Sequence, residues 1–159
     1  SGAISAGKFD FIPELINKLN FKKCFKGVKI KPGRPIMLSK LNKKNKLFFG
    51  LPGNPISSAA SFRFFVYPLI RKSLGMKEEN KLVAKLSNKY LKVKNFTHFV
   101  RCFMKIDNKG LVRVETLQGQ QSNRIKSFVK ANCWGIFPEG KSEFKKGEII
   151  EWVPLIPSS

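Results

Sequence analysis

Apolar positions along the chain change their period several times, and each change marks an element. After the small, glycine-rich opening segment SGAISAGKFD, Ile12, Leu15, Ile16 and Leu19 recur at helical spacing behind Pro13. Pro13 is suited to a first helical turn, so a short amphipathic helix is expected to about Lys18. Phe25, Val28 and Ile30 suggest a strand running into Lys31-Pro32-Gly33-Arg34-Pro35, where two prolines around a glycine enforce a rigid turn. Residues 36–41 and 46–50 read as two strands joined by a solvated Asn42-Lys43-Lys44-Asn45 connection. The second strand ends in Gly50-Leu51-Pro52-Gly53-Asn54-Pro55. Asn54 is a good helix cap and Pro55 a good first residue, so a helix is expected from Pro55 to Leu74. Gly75 should stop it, and Pro68 should kink or break it.

The polar stretch 76–82 is a candidate boundary, giving expected domains at 1–77 and 78–159. Beyond it the period becomes two. Val100, Cys102, Met104 and Ile106 alternate with Phe99, Arg101, Phe103 and Lys105. Asp107-Asn108-Lys109-Gly110 then turns the chain, and Val112, Val114 and Thr116 alternate back, which is a hairpin signature. Ile125–Lys130 fits one or two helical turns. Cys133–Phe137 and Glu148–Val153 complete a small sheet or barrel, joined by a turn region at Gly140–Gly147. Trp134, Trp152 and the Phe62, Phe65, Val66, Leu69 stripe are expected to pack in cores.

Charge changes the picture. The 159 residues carry 31 Lys and Arg against 10 Asp and Glu, a formal net charge of +21. A surface this positive attracts anions through salt-screened electrostatics. With 42% apolar residues and 15 Phe, the chain is not a disordered basic tail. One His and three scattered Cys disfavour a zinc ribbon or a disulfide framework and fit a reducing cytoplasm. The lone pair His98 and Cys102 makes a poor metal site. No run of 18 apolar residues occurs, so no membrane-spanning helix is expected.

Chemistry is expected at three glycine- and proline-bearing loops, 1–10, 31–35 and 50–55. A helix beginning at Pro55 would present amide groups and a partial positive charge to an oxyanion. Lys31 and Arg34 add cationic reach. Asp10 has two readings: a cap for the following helix, or a carboxylate sharing a bridging Mg²⁺ with a ligand phosphate. A basic nucleic-acid-binding module is the rival reading, resting on charge, interleaved aromatics and a barrel-like second half. Against it, the sequence has no RNP-like, helix-turn-helix or zinc motif.

SGAISAGKFD resembles the SGGVSVGxxD loop of the molybdopterin-binding domain, KPGRP its KPGxP, and GLPGNPISS its LPGNPVS element. Phe65-Val66-Tyr67-Pro68-Leu69 then follows like that family's FVxPxL. In the second half, the Phe99–Phe103 strand, the Gln118–Ser122 turn, Ala131-Asn132 and Lys146-Gly147-Glu148 resemble the family's C-terminal β domain. The chain is thus similar to the C-terminal portion of the MoeA/gephyrin-type family of molybdopterin molybdenumtransferases. That resemblance implies part of a three-layer αβα molybdopterin-binding domain followed by a small all-β, barrel-like domain.

It also implies insertion of molybdenum from molybdate into adenylylated molybdopterin, with release of AMP and with Mg²⁺. On the matching positions it assigns Asp10 to metal and catalysis, and Lys31 to catalysis and substrate. Gly2, Ser5, Gly7, Arg34, Pro52, Gly53, Asn54, Pro55 and Ser57 are assigned to substrate binding. A homodimer is implied for the longer protein, with upstream domains completing the site. Departures are Ala3 for a glycine, Ala6 for the usual Val, Lys8 where an acid is common, and the loose Gln120-Gln121-Ser122-Asn123 turn.

Overall fold

The computed structural model describes residues 12–41, 46–80 and 82–156. The chain forms two compact units, residues 1–78 and 79–159.

The first unit opens with helix α1 (Ile12–Lys18), followed by strands β1 (Lys22–Lys26), β2 (Ile30–Lys31), β3 (Met37–Leu41) and β4 (Lys46–Gly50). β1, β3 and β4 form a three-stranded sheet in that order, antiparallel throughout. Alternation divides its two faces. On one, Met37 and Phe48 pack with Ile12, Ile16 and Phe21. On the other, the register Phe25–Leu38–Phe49 forms an apolar row, and Phe65 approaches Phe25 at 6.5 Å between ring centroids. Helix therefore lies on both faces of the sheet, the three-layer arrangement expected of this unit.

The segment read as one strand from Phe25 to Ile30 is divided. Gly27 has φ +80°, and the chain turns there. Gly27 N–H donates to the Ile36 carbonyl (2.9 Å) and Val28 N–H to that of Arg34 (3.0 Å), so Lys31–Pro35 forms the tip of the β1–β3 hairpin.

The helix expected from Pro55 to Leu74 runs as α2 (Pro55–Ser61), a π-helical segment (Phe62–Val66) and α3 (Tyr67–Ser73). Pro68 does not break it. Tyr67 N–H reaches back five residues to the Phe62 carbonyl, and this widened turn relieves the clash of a proline ring with the preceding carbonyls. Gly75 closes the run at φ +68°, with Gly75 N–H on the Lys72 carbonyl and Met76 N–H on that of Arg71.

The second unit contains β5 (Leu82–Leu86), β6 (Tyr90–Leu91), β7 (Thr97–Ile106), β8 (Val112–Thr116), α4 (Lys126–Lys130), β9 (Cys133–Phe137), β10 (Glu143–Phe144) and β11 (Ile149–Pro154). The order β7–β8–β5–β11–β9 closes through β7–β9 pairing into a five-stranded barrel. All its pairings are antiparallel except β5–β8, Lys85↔Arg113 and Leu86↔Val114. Closure leaves those strands no mutual edge to expose. Val100, Cys102, Val114, Cys133, Phe137, Ile150 and Trp152 fill the interior.

The β7–β8 hairpin turns as the sequence implies: Asp107 Oδ1 accepts from Lys109 and Leu111 N–H, and Gly110 has φ +74°. Three strands, β5, β6 and β10, escape the sequence pattern. β5 begins at Leu82, inside the stretch read as a polar boundary, and β10 lies inside the region read as a turn. β10 pairs with β6, and Phe144 there meets Phe137 edge-on at 4.9 Å.

Candidate functional site

Register assembles the site in the first unit. Lys26 opposes Met37, and Met37 opposes Gly50. The end of β1, the start of β3 and the end of β4 are therefore level, so the turns at 31–35 and 51–55 leave the same end of one sheet. Two motifs some 20 residues apart in sequence become neighbours by strand pairing alone.

Gly33 makes the approach close. Its φ is +103°, a conformation that favours glycine. A Cβ there would lie 2.8 Å from Ser61 Oγ, 3.2 Å from Ile30 Cδ1 and 3.4 Å from the Ser57 carbonyl oxygen. The tip of the hairpin thus rests directly on the first two turns of α2. Ser57 and Ser61 are four apart and share a helix face, and both are buried. Ser61 Oγ has no hydrogen-bond partner among the described residues. Gly33 and Ser61 were not among the site residues expected from the sequence. The signal for them was the glycine between two prolines and the i, i+4 serine pair.

At the second turn, Asn54 caps α2 with φ −68° and ψ 128°. Its Oδ1 accepts from Ile56 N–H (3.1 Å) and Ser57 N–H (3.3 Å), while Ser58 N–H donates to its carbonyl (2.8 Å). Pro55 has no N–H to offer. The free amide donors expected at this helix start are therefore already engaged. What remains for an anion is the helix dipole, together with the cations on the neighbouring turn. Pro52 is buried, Asn54 half-buried, and Gly53 and Pro55 are exposed. Lys31 and Arg34 are exposed on the other turn.

Gly2, Ser5, Gly7 and Asp10 lie outside the described residues. Among the described residues no three His, Cys, Asp or Glu side chains come together. His98 and Cys102 are both buried, and Tyr90 hydroxyl lies 3.0 Å from His98 Nδ1.

The second unit holds a different polar construction. Arg101, 1% exposed, sends its guanidinium under the loop that follows β8. Nη2 donates to the Gly119 (2.9 Å) and Gln121 (3.2 Å) carbonyls, and Nη1 to that of Arg124 (3.5 Å). Gln120 returns the contact: its Oε1 accepts from Arg101 N–H (3.0 Å), and its amide donates to the Arg101 and Leu117 carbonyls. Burial lowers the Arg101 pKa, opposed by the nearby Tyr90. Burial, with Cys102 nearby, raises Tyr90 to about 12. The loop is thus fixed from beneath by a buried cation bonded to carbonyl oxygens.

Comparison with known proteins assigns both units. Residues 1–72 match the model described as "Probable molybdopterin binding domain", and residues 83–155 match "MoeA C-terminal region (domain IV)". The molybdopterin molybdenumtransferase of Haemophilus influenzae is 33% identical over 160 residues, covering 98% of this chain and 38% of the relative. The molybdenum cofactor synthesis protein cinnamon of Drosophila melanogaster is 33% identical over 156 residues, covering 94% of this chain and 26% of the relative. A crystal structure of the molybdopterin biosynthesis MoeA protein from Pyrococcus horikoshii matches with a TM-score of 0.71 at 27% identity, covering 94% of this chain and 36% of that one. The chain spans between about a quarter and two-fifths of the length of these relatives. These findings favour cofactor biosynthesis over the nucleic-acid reading. Taken with the converging KPGRP and LPGNP turns, they place this chain in the MoeA/gephyrin-type family of molybdopterin molybdenumtransferases, of which it carries the C-terminal regions.

Proposed function

We propose that this chain forms part of the site at which molybdenum from molybdate is inserted into adenylylated molybdopterin, with release of AMP. The convergence of the 31–35 and 51–55 turns, with Gly33 seated on Ser57 and Ser61, carries the reading. It brings two cations, a helix start and two serines to one end of a sheet. In this reading Lys31 and Arg34 hold phosphate or molybdate oxygens, as cations positioned on a rigid turn. Pro52, Gly53, Asn54 and Pro55 form the adjoining wall, and Ser57 supports it from the helix.

Gly2, Ser5 and Gly7 would approach the substrate through backbone and hydroxyl groups, and Asp10 would supply the carboxylate for Mg²⁺. The described residues provide no metal cage of their own. Such a site acts by positioning and by stabilising developing negative charge. Catalysis in this reading is a property of the longer, cytoplasmic homodimer, whose upstream domains complete the site. Residues 1–77 and 78–159 are its two C-terminal domains.

Equilibrium binding of adenylylated molybdopterin, with and without Mg²⁺ and with duplex DNA as competitor, tests the reading. Selective binding is expected, weakened in Lys31→Ala and losing its Mg²⁺ dependence in Asp10→Ala. Binding displaced by DNA, collapsing with salt and indifferent to both substitutions would contradict it.

A further inference from the structure

A cavity lies in the other unit, at the loop that follows β8. It has a volume of about 500 Å³ and is lined by Gln118, Gly119, Asn123, Arg124, Ile125, Lys126 and Ser127. That is within the usual range for a small-molecule site. No carboxylate lines it. Arg124 and Lys126 form no ion pair among the described residues.

The floor of this cavity is built. The carbonyls of Gly119, Gln121 and Arg124 turn inward to the Arg101 guanidinium. Ser127 Oγ ties the same wall, its one proton shared between the Gly119 (2.9 Å) and Arg124 (3.0 Å) carbonyls. With those acceptors turned inward, the charged and carboxamide side chains left on a largely apolar lining are two cations, Arg124 and Lys126, and the amides of Gln118 and Asn123. Gly119, at φ +75°, leaves room for the Arg124 stem, whose Cδ lies 3.3 Å from where a Cβ would stand. The loop therefore fixes where the Arg124 side chain starts, which limits the entropy lost when its guanidinium binds.

We infer that the 118–127 cavity binds a small ligand through an oxyanion group, a phosphomonoester being the class that best matches an arginine, a lysine and two carboxamides. This inference does not rest on the molybdenum-transfer reading, because none of its residues belongs to the first unit.

The test is titration of the whole chain with inorganic phosphate, AMP and adenosine, followed residue by residue through backbone amide NMR shifts. Phosphate and AMP should shift Gly119, Asn123, Arg124 and Lys126 saturably, with AMP the tighter, while adenosine leaves them in place. Joint Arg124→Ala and Lys126→Ala substitution should weaken both ligands by about tenfold or more. Both side chains are exposed, so the barrel should stay folded, as the Trp134 and Trp152 fluorescence would verify. Lys109→Ala and Lys31→Ala should leave this binding within about twofold, since neither lines the cavity. Three outcomes would overturn the inference: no saturable shift at these amides, shifts of equal size with adenosine, or affinity lost in Lys31→Ala and kept in the double variant.

Discussion

The two units fix their turns by opposite means. In the barrel, the loop after β8 is held from below by Arg101, a buried cation whose guanidinium bonds to three backbone carbonyls. In the first unit, the tip of the β1–β3 hairpin is held by steric fit, a glycine with no room for a Cβ above Ser61 Oγ. Hydrogen bonding spends polar groups on architecture, whereas steric seating leaves them unspent. Lys31 remains exposed without an ion pair among the described residues, and the buried Ser61 hydroxyl has no partner there. The barrel unit thus turns its polar groups into structure, whereas the open-sheet unit leaves cations exposed at its turn.

Arg101→Ala should have the largest effect. It removes the guanidinium's hydrogen bonds to three loop carbonyls and empties the volume beneath the loop, at a cost of about 3 kcal/mol. Urea unfolding followed by tryptophan fluorescence reads this selectively, because both tryptophans lie in the second unit. Amide protection in the first unit should not change; if it falls with the barrel, the contrast fails.

Alkaline titration should come next and act on the same unit. Burial pushes the Cys133 thiol from 9.0 to about 12, and burial with Cys133 nearby raises Cys102 as well. Tyr90 is likewise raised from 10.0 to about 12. The folded state holds these protons after the unfolded chain has released them. Their contribution is therefore complete below pH 9 and is lost as pH rises toward 12. The fluorescence-detected urea midpoint should fall across that window, and a flat profile would show that these groups are more solvated than their burial implies.

Gly33→Ala sharpens the other side of the comparison. A Cβ 2.8 Å from Ser61 Oγ, on a backbone at φ +103°, should destabilise the first unit by about 2 kcal/mol. It should also lift Lys31 and Arg34 away from α2. Amide exchange at 27–36 should rise while the fluorescence transition stays in place. Asn54→Ala should be the mildest, costing about 1 kcal/mol through the lost cap. It frees the Ile56 and Ser57 N–H groups, which gives a distinct signature: faster exchange at those two amides alone.

Much of this architecture was legible. Prolines and glycines mark the turns by removing conformations, so Lys31–Pro35 and Gly50–Pro55 could be placed from residue types. Strict alternation marked the β7–β8 hairpin. What escaped depended on partners distant in sequence. β10 has two residues and exists because Tyr90 and Leu91 pair with it. The run through Pro68 stays helical because a π-helical turn precedes the proline, an adjustment that no local propensity announces.

At the site, motif matching supplied Lys31, Arg34 and the LPGNP turn. The convergence of those turns came from the Lys26–Met37–Gly50 register. Gly33 was visible as a turn residue, but its seat on Ser61 belongs to packing between a hairpin and a helix. Arg101 stood in the sequence as one polar residue in an alternating strand, with nothing to show that it would be buried under a loop 20 residues further on.

The most direct test of the account is hydrogen exchange of the whole chain with and without adenylylated molybdopterin and Mg²⁺. Ligand-induced protection is expected at residues 31–35 and 51–57 together, lost together in Gly33→Ala. Protection at one turn without the other, or a response unchanged by Gly33→Ala, would contradict the claim that the two turns form one site.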